Sequence, residues 1–196
     1  GVTPFQFPIY MVILAVAGRS LRQRSVLIAH NVTPHESSRT DRLLTTWMYR
    51  CVRGVLAHSP AEAHRAQQFG ATAMHELLPL HFDADPRRRT SPERQKLLAF
   101  IGFGRPYKGL DLLIEALARS RSGFRLEVLG EFWSDAEVFR LQAERLGIAE
   151  YCEFRAGYGT SHDVTELLDR ADALVLPYRS ATSSQLPRLA FLRGTP

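Results

Sequence analysis

The sequence is poor in the residues that build zinc sites and disulfide frameworks. It contains two cysteines, Cys51 and Cys152, which lie about a hundred residues apart. No Cys-x-x-Cys pair and no His/Cys pair with ligand spacing occurs, which argues against a structural zinc site. Two thiols inside apolar patterns suit a reducing compartment, so we expect a cytoplasmic protein.

No hydrophobic run is long enough to cross a membrane. The most apolar stretch, residues 5–18, is shorter than the roughly 20 residues that a bilayer requires, and no basic residues precede it. We predict a buried helix there, with a signal-peptide remnant as the alternative. The chain begins at Gly1 and stops after a turn-like Gly-Thr-Pro tripeptide, so we expect both ends to interrupt a longer protein.

The positive charge of the chain is modest and spread out. The net charge is +5 and the pI is about 9.6, which fits either an ordinary basic surface or attraction to phosphates and anionic membranes. The densest cluster, Arg87 to Arg89, lies beside a proline and has no interleaved aromatic residues. This is weak evidence for a nucleic-acid groove, and we expect no nucleic-acid partner.

Strand-like and helix-like segments alternate along the chain. Two helices have capping-box starts, Ser59-Pro-x-Glu62 and Ser134-x-x-Glu137. The predicted strands are 25–29, 54–57, 76–80, 97–101, 124–129, 151–154 and 173–176, and the predicted helices are 41–53, 59–70, 110–118, 134–147, 164–170 and 184–192.

A polar segment separates two such series. Residues 83–95 are rich in Asp, Pro, Arg and Ser, and we predict that they link a domain at 1–82 to a domain at 96–196. Alternating strands and helices predict an α/β fold with two Rossmann-like parallel-sheet domains, each only partly present. Ligands of such sheets bind beyond the carboxyl ends of the strands.

The most informative segment joins a predicted strand to a predicted helix at residues 100–111. Gly102 and Gly104 allow close approach of a ligand to the backbone, Arg105 and Lys108 add two cations, and a helix start follows Gly109. This arrangement predicts a diphosphate cradle, although neither a P-loop nor a G-x-G-x-x-G fingerprint is present. The alternative is a solvated glycine-rich turn.

Five blocks of the sequence occur in the order and spacing of a known enzyme family. They read VLIAHNVTPHES, GVLAHSPAEAHR, GRPYKGLDLLIEAL, GEFWSD and ADALVLPYRSATSSQLPRLAFLRGTP. Together they cover most of the chain, which resembles the retaining glycosyltransferases of glycosyltransferase family 4, with the GT-B fold.

The resemblance implies roles for individual residues. Arg105 and Lys108 match the pair that neutralises the departing diphosphate, and His30 matches a histidine that faces the transferred sugar, unless it is a loop histidine held by backbone groups. The residues expected to contact the acceptor or the sugar are Asn31, His35 and Glu36. Those expected to bind the donor are Gly102, Gly104, Glu131, Tyr158, Ser180, Thr182, Ser183 and Ser184.

The chain departs from the family pattern in its last block. Family members commonly carry two glutamates and a glycine where this sequence has Ala181, Leu189 and Ser184. The Ser-Ala-Thr at 180–182 resembles certain branches of the family, so the first loss is expected to be a subfamily trait. The second loss weakens a ribose-binding role. Asp83-Ala-Asp resembles a metal-binding motif of another glycosyltransferase fold, but we interpret it as solvated acids in the linker.

We therefore expect sugar transfer from a nucleotide-sugar donor to an acceptor, with retention and without a metal or other cofactor. The acceptor would be a sugar, a lipid-linked compound or another small molecule, and peripheral contact with the inner face of the membrane stays open. The alternatives are a degenerate, non-catalytic binding module, a sugar-nucleotide epimerase and a nucleic-acid binder. We expect the chain to be inactive on its own.

Overall fold

Parallel strands alternate with helices along the described chain, as the hydrophobic pattern predicts. The chain divides into two compact units, formed mainly by residues 1–79 and by residues 80–196. Each unit contains one parallel sheet. The computed structural model describes residues 7–16, 18–29, 32, 39–77, 96–120, 123–132, 136–157, 159–181 and 184–196.

The N-terminal unit has a three-stranded sheet of order β1-β2-β3. Its elements are α1 Phe7–Val16, α2 Gly18–Arg22, β1 Val26–Ala29, α3 Arg39–Cys51, β2 Gly54–Ala57, α4 Pro60–Gln68 and β3 Ala73–His75. The third strand begins earlier than predicted, because Ala73 to His75 pair with Val55 to Ala57. Glu76 still donates its N–H to the Ala57 carbonyl at 2.9 Å, whereas residues 78–80 lie outside the described part.

One face of this sheet carries the core of the N-terminal unit. Ala29 and Val55 are buried there against Met48, Tyr49 and Ala66 from α3 and α4. The opposite face is largely uncovered. Cross-strand register places Ile28, Leu56 and Met74 in one row, and Ile28 and Met74 are 62% and 69% exposed.

The apolar run at the N-terminus forms the predicted helix α1, but the prediction that it is buried is wrong. Leu14 is buried, while Ile9, Val12, Ile13 and Val16 are each more than half exposed. Apolar composition on all sides predicts burial of the whole helix, yet here one side of α1 packs on the core. No helix in the described ranges is long and apolar enough to span a bilayer.

The C-terminal unit has a four-stranded sheet of order β6-β5-β4-β7. Its elements are β4 Leu97–Ile101, α5 Leu110–Arg119, β5 Arg125–Gly130, α6 Glu137–Arg145, β6 Cys152–Ala156, α7 Ser161–Arg170, β7 Ala173–Leu174 and α8 Leu186–Leu192. Successive strands are added on one side of β4 until β6, and β7 then pairs with β4 on its other side. The carboxyl ends of β4 and β7 therefore form the topological switch point, where open α/β sheets bind ligands.

Both faces of this second sheet are covered. Leu97, Ala99 and Ile101 alternate along β4 toward a core that includes α7 and α8. Phe100 belongs to a second core with residues of α5, β5 and α6. A strand buried on both faces needs apolar residues at every position, and the uninterrupted Leu-Leu-Ala-Phe-Ile run supplies them.

The starts of α6 and α7 show the largest differences from the predicted helix starts, at three residues each. Helix α6 begins at Glu137 after Ala136, without a side-chain cap, three residues later than the start predicted at Ser134, which lies outside the described residues. Helix α7 begins three residues earlier than predicted, since Thr160 and Asp163 form a reciprocal capping box. A threonine with an aspartate three residues later satisfies the same backbone donors as the commoner Ser/Thr and Glu pair.

Candidate functional site

Two loops meet at the switch point of the C-terminal sheet, one after β4 and one after β7. The first contains a 3₁₀ turn, Pro106–Lys108, and reaches α5 through Gly109, whose φ is +70°. A Cβ atom at Gly109 would overlap the carbonyl oxygen of Pro177 in the second loop. A glycine is therefore required here both by backbone conformation and by the close approach of the two loops.

The Lys108 ammonium group lies in a pocket made by these loops. Lys108 is 8% exposed, and its Nζ atom is 5.9 Å from the ring centroid of Phe103 and 5.3 Å from that of Tyr178. Both distances are within the range of cation–π attraction. A Cβ at Gly102 would overlap the Nζ atom, so this glycine leaves the room that the ammonium occupies. Burial lowers the pKa of Lys108, and the nearby Arg105 lowers it further.

Arg179 holds the second loop onto the first. Its guanidinium makes two hydrogen bonds to the Asp111 carboxylate, at 2.9 and 2.6 Å, and a third to the Pro106 carbonyl at 2.6 Å. Its backbone N–H donates to the Tyr107 carbonyl at 2.7 Å. The hydrogen bonds from the Arg179 guanidinium hold the pKa of the Asp111 carboxyl below its usual value. The 3₁₀ turn is thus held by the loop after β7 as well as by its own connection to β4.

Several predicted donor-site residues are found at this edge of the sheet. Gly104 is buried and its N–H donates to the Glu131 carbonyl at 2.9 Å, which joins the loops after β4 and β5. Ser180 is exposed beside Arg179. Ser184 is half-buried and belongs to the N-terminal unit rather than to this edge. The structure therefore brings residues from the ends of β4, β5 and β7 together, as the position of these segments after predicted strands indicates.

The remaining predicted site residues lie outside the described residues. They are the acceptor-side group His30, Asn31, His35 and Glu36, the donor-side group Tyr158, Thr182 and Ser183, and the linker acids Asp83 and Asp85.

In the N-terminal unit, two helices hold the backbone just after β1. Glu62 accepts the Val32 N–H at 2.7 Å, and the Tyr49 hydroxyl donates to the Val32 carbonyl at 3.2 Å. Ser59 caps α4 as predicted, by accepting the Glu62 N–H at 3.2 Å. The buried Glu62 carboxylate binds Val32 and Arg65. Burial, together with Glu62, raises the pKa of Tyr49 to about 12.

No cluster that would suit a metal ion occurs in the part of the chain that the structure describes, where three or more His, Cys, Asp or Glu side chains nowhere converge. Cys51 and Cys152 are free thiols there. Burial raises the pKa of the Cys152 thiol to about 11.

Comparison with protein families gives one decisive match. The model described as "Glycosyl transferases group 1" matches residues 81–184, which is more than half of the chain and includes both loops of the switch point. The chain belongs to the glycosyl transferases group 1 family. A comparison with curated protein sequences finds no match.

Solved glycosyltransferase structures share the fold of this group 1 family member. Anabaena HepE in complex with UDP superposes with a TM-score of 0.72 at 19% identity, over 96% of this chain and 62% of HepE. WaaG, a glycosyltransferase involved in lipopolysaccharide biosynthesis, gives 0.66 at 22% identity, over 87% and 55% of the two chains. A variant of S. aureus TarM, in complex with fondaparinux, alpha-GlcNAc-glycerol and UDP, gives 0.66 at 15%, over 87% and 35%.

These likenesses establish the GT-B fold predicted from the sequence blocks. The present chain spans about three fifths of HepE and a smaller share of the other two proteins. It therefore corresponds to part of a GT-B structure, with one partial parallel-sheet domain in each unit.

The structure also shows the surroundings of a residue at which the sequence departs from the pattern of the family that it resembles. Leu189, where the resemblance places the second family glutamate, is fully buried in a core that includes Leu167 and Leu168. A carboxylate at this position would be buried in apolar surroundings, and desolvation would make it costly. Ala181, at the position of the first glutamate, is exposed.

Sequence reasoning did not identify Phe103, Asp111, Tyr178 and Arg179 as parts of this site. Tyr178 and Arg179 lie in a segment that was expected to be functional because it follows a strand. Asp111 and Arg179 are 68 residues apart in sequence, and no local spacing connects them. Phe103 lies between two glycines and five residues before Lys108, and this closeness in sequence was the available hint of a ring–cation contact.

Proposed function

We propose that this chain carries the donor site of an enzyme that transfers a sugar from a nucleotide-diphosphate donor to an acceptor. The observation that supports it best is the convergence of Lys108, Arg105 and the start of α5 at the topological switch point of the C-terminal sheet. A helix start and two cations at such a point suit a diphosphate. The matched family and the UDP-bound neighbours favour this ligand class.

The proposed chemistry is charge stabilisation of the leaving group. When the bond between the anomeric carbon and the diphosphate oxygen breaks, the electron pair leaves with the diphosphate. Lys108 and Arg105 neutralise that charge, and the N-terminal end of α5 adds its partial positive charge. Two cations can supply the charge that a divalent metal supplies elsewhere, so we propose a metal-independent transfer. Retention of anomeric configuration is the stereochemistry that the resemblance to family 4 implies.

The acceptor side of the proposal concerns residues beyond the described ranges. We propose that His30 orients the transferred sugar and that Asn31, His35 and Glu36 contact the sugar or the acceptor. The described neighbour of this group is Val32, whose N–H and carbonyl are both held by side chains. Val32 thus provides a fixed point two residues after His30.

We further propose that the acceptor is a sugar, lipid-linked or small-molecule compound and that transfer takes place at the cytoplasmic face of a membrane. Free thiols at Cys51 and Cys152 suit the cytoplasm. The exposed apolar side of α1 is followed by Arg19 and Arg24, which suits a surface of anionic lipid. Flotation of the natural-length protein with vesicles that contain or lack anionic lipid tests this part.

Isothermal calorimetry of the natural-length protein with UDP, GDP and ADP tests the donor site. We expect one nucleotide to bind selectively, and Lys108→Met and Arg105→Ala each to weaken it by about 10- to 100-fold, the value of a charge-assisted hydrogen bond. Arg119→Ala is the matched control, because Arg119 is at the far end of α5 and its side chain is 85% exposed. If the folded protein binds none of the three nucleotides, the proposed function is refuted.

The same titration has a predicted pH dependence. Burial lowers the pKa of Lys108, and the proposed site needs the protonated form. Affinity should therefore be full at lower pH and should fall as pH rises through that lowered pKa, before the ordinary lysine range near 10.5 is reached. Subtracting the profile of Lys108→Met removes contributions from the nucleotide base. Identical profiles for the two proteins would contradict the assignment of Lys108.

A non-catalytic binding module is the second candidate, and Leu189 favours it. Since this side chain is part of the apolar core, the second family glutamate has no substitute at that position. The module predicts nucleotide binding without transfer. Incubation of the natural-length protein with radiolabelled nucleotide sugar and candidate acceptors distinguishes the two, because only the enzyme releases free nucleoside diphosphate and labelled product.

A further inference from the structure

Three consecutive residues after β7 pack against the turn that carries Lys108. The Pro177 carbonyl approaches Gly109 so closely that no Cβ fits there. The Tyr178 ring lies 5.3 Å from the Lys108 ammonium. The next residue, Arg179, binds the turn through both its backbone and its side chain. The position of Lys108 therefore depends on this segment as well as on β4.

Arg179 is the member of this segment with the most directional contacts. It occupies two successive carbonyls of the 3₁₀ turn, Tyr107 through its backbone N–H and Pro106 through its guanidinium. The same guanidinium grips the Asp111 carboxylate with two hydrogen bonds. A bidentate arginine–carboxylate pair fixes orientation as well as distance. Asp111 is in the first turn of α5, so the pair connects the β7 loop to both ends of the cation-bearing turn.

We propose that Arg179 and Asp111 form a positioning pair that holds Lys108, and with it the neighbouring Ser180, in the geometry required for the donor diphosphate. This inference rests on the proposed function, because it assigns the pair a role at that same site. Arg179 acts through the turn. Three of its five guanidinium N–H donors serve Asp111 and Pro106, which orients the side chain toward the turn.

The direction in which one substitution changes nucleotide affinity distinguishes the positioning role from a simple effect of charge. Asp111→Asn removes a negative charge close to a site for an anion, and charge alone would strengthen nucleotide binding. A positioning pair predicts the opposite, because an amide cannot accept both guanidinium hydrogen bonds. We expect the nucleotide that binds best among UDP, GDP and ADP to bind Asp111→Asn about tenfold more weakly.

Companion variants complete a double-mutant cycle. Arg179→Met should weaken binding by a similar factor, and Arg179→Lys should restore little, because a lysine keeps the charge but lacks the two-pronged geometry. The double variant Arg179→Met/Asp111→Asn should bind no more weakly than the worse single variant, since both changes break one unit. Glu115→Gln is the control. It removes a negative charge one turn further along α5, near Arg179, from a residue that is not part of the positioning pair.

Hydrogen exchange gives a readout that needs no nucleotide. The Lys108 and Gly109 amides donate within the turn, to Arg105 at 3.0 Å and Pro106 at 3.2 Å. We expect both to exchange at least tenfold faster in Asp111→Asn, with unchanged exchange in β5 as the measure of an intact fold. Unchanged turn exchange, or nucleotide affinity that is unchanged or improved, overturns the positioning pair. If the turn amides exchange faster in Asp111→Asn but the wild-type protein binds no nucleotide, the positioning pair stands and the proposed donor site is refuted.

Discussion

The two units of this chain hold the backbone beyond their strands by different means. In the C-terminal unit the parallel sheet is buried on both faces by helices, and the loops of the switch point extend from that packed core. In the N-terminal unit one face of the sheet carries the core while Ile28 and Met74 are exposed on the other. There the backbone after β1 is held by two polar side chains, Glu62 and Tyr49. A packed core is held by many side chains at once, so the loss of one leaves the others in place. Each hydrogen bond to Val32, in contrast, is lost when its one side chain is removed.

The largest effect should come from removing a core side chain of the C-terminal unit. Phe100 is fully buried, and Phe100→Ala should lower the free energy of unfolding of this unit by about 3–5 kcal/mol, through lost burial and the cavity left behind. Ile28→Ala is the counterpart on the uncovered face and should cost no more than about 0.5 kcal/mol. Urea denaturation followed by circular dichroism measures both. Equal losses would mean that the Ile28 face is covered in solution.

Two glycines with positive φ provide a second contrast between the units. Gly109→Ala combines a left-handed backbone with overlap of the Pro177 carbonyl, a backbone atom that cannot move aside. We expect a loss of about 2–4 kcal/mol. Gly70→Ala in the N-terminal unit has a similar φ, but its Cβ would meet the flexible Arg50 side chain. This change should cost about 1–2 kcal/mol. Thermal unfolding of both variants gives the ranking, and a costlier Gly70→Ala would contradict it.

The third effect is an alkaline loss of stability in the N-terminal unit. Burial raises the pKa of Tyr49 to about 12, so its contribution is complete below pH 10 and is lost as pH rises through 12. A shift of this size corresponds to at most about 2–3 kcal/mol. Tyr49→Phe should cost about 1 kcal/mol at neutral pH and should lose less stability between pH 9 and pH 12 than the wild type. Parallel loss in the two proteins would contradict the assignment to Tyr49.

Local patterns were sufficient to predict most of the fold. The Leu-Leu-Ala-Phe-Ile run before Gly102 marks a strand that is buried on both faces, and the structure places β4 at the centre of the sheet. The alternation of strands and helices predicts parallel pairing, because a crossover helix carries the chain back to the same sheet edge. Local patterns did not predict which apolar faces of a helix or sheet are buried by other elements. The sequence of α1 is apolar on all sides, and nothing in it tells which residues find a partner.

The site was predictable where its residues follow strands and unpredictable where it depends on distant pairs. Gly102 and Lys108 share one loop, so their types and spacing could be interpreted together. The Asp111–Arg179 pair joins residues 68 positions apart, and only the return of β7 to the side of β4 brings them together. Capping shows the same limit, because Ser134 has the right residue type for a cap, yet α6 begins at Glu137.

The contacts of Val32 have a consequence for the order of folding. Its N–H donates to Glu62, which is 30 residues later in the chain, and its carbonyl accepts from Tyr49, which is 17 residues later. Contacts between distant residues form late, because chain entropy must be lost before they can close. During synthesis, β1 and Val32 would therefore leave the ribosome well before the Glu62 of α4 is available to bind Val32. That backbone should reach its native conformation only when α4 has docked, which makes it one of the last parts of the N-terminal unit to acquire protection from proteases during synthesis.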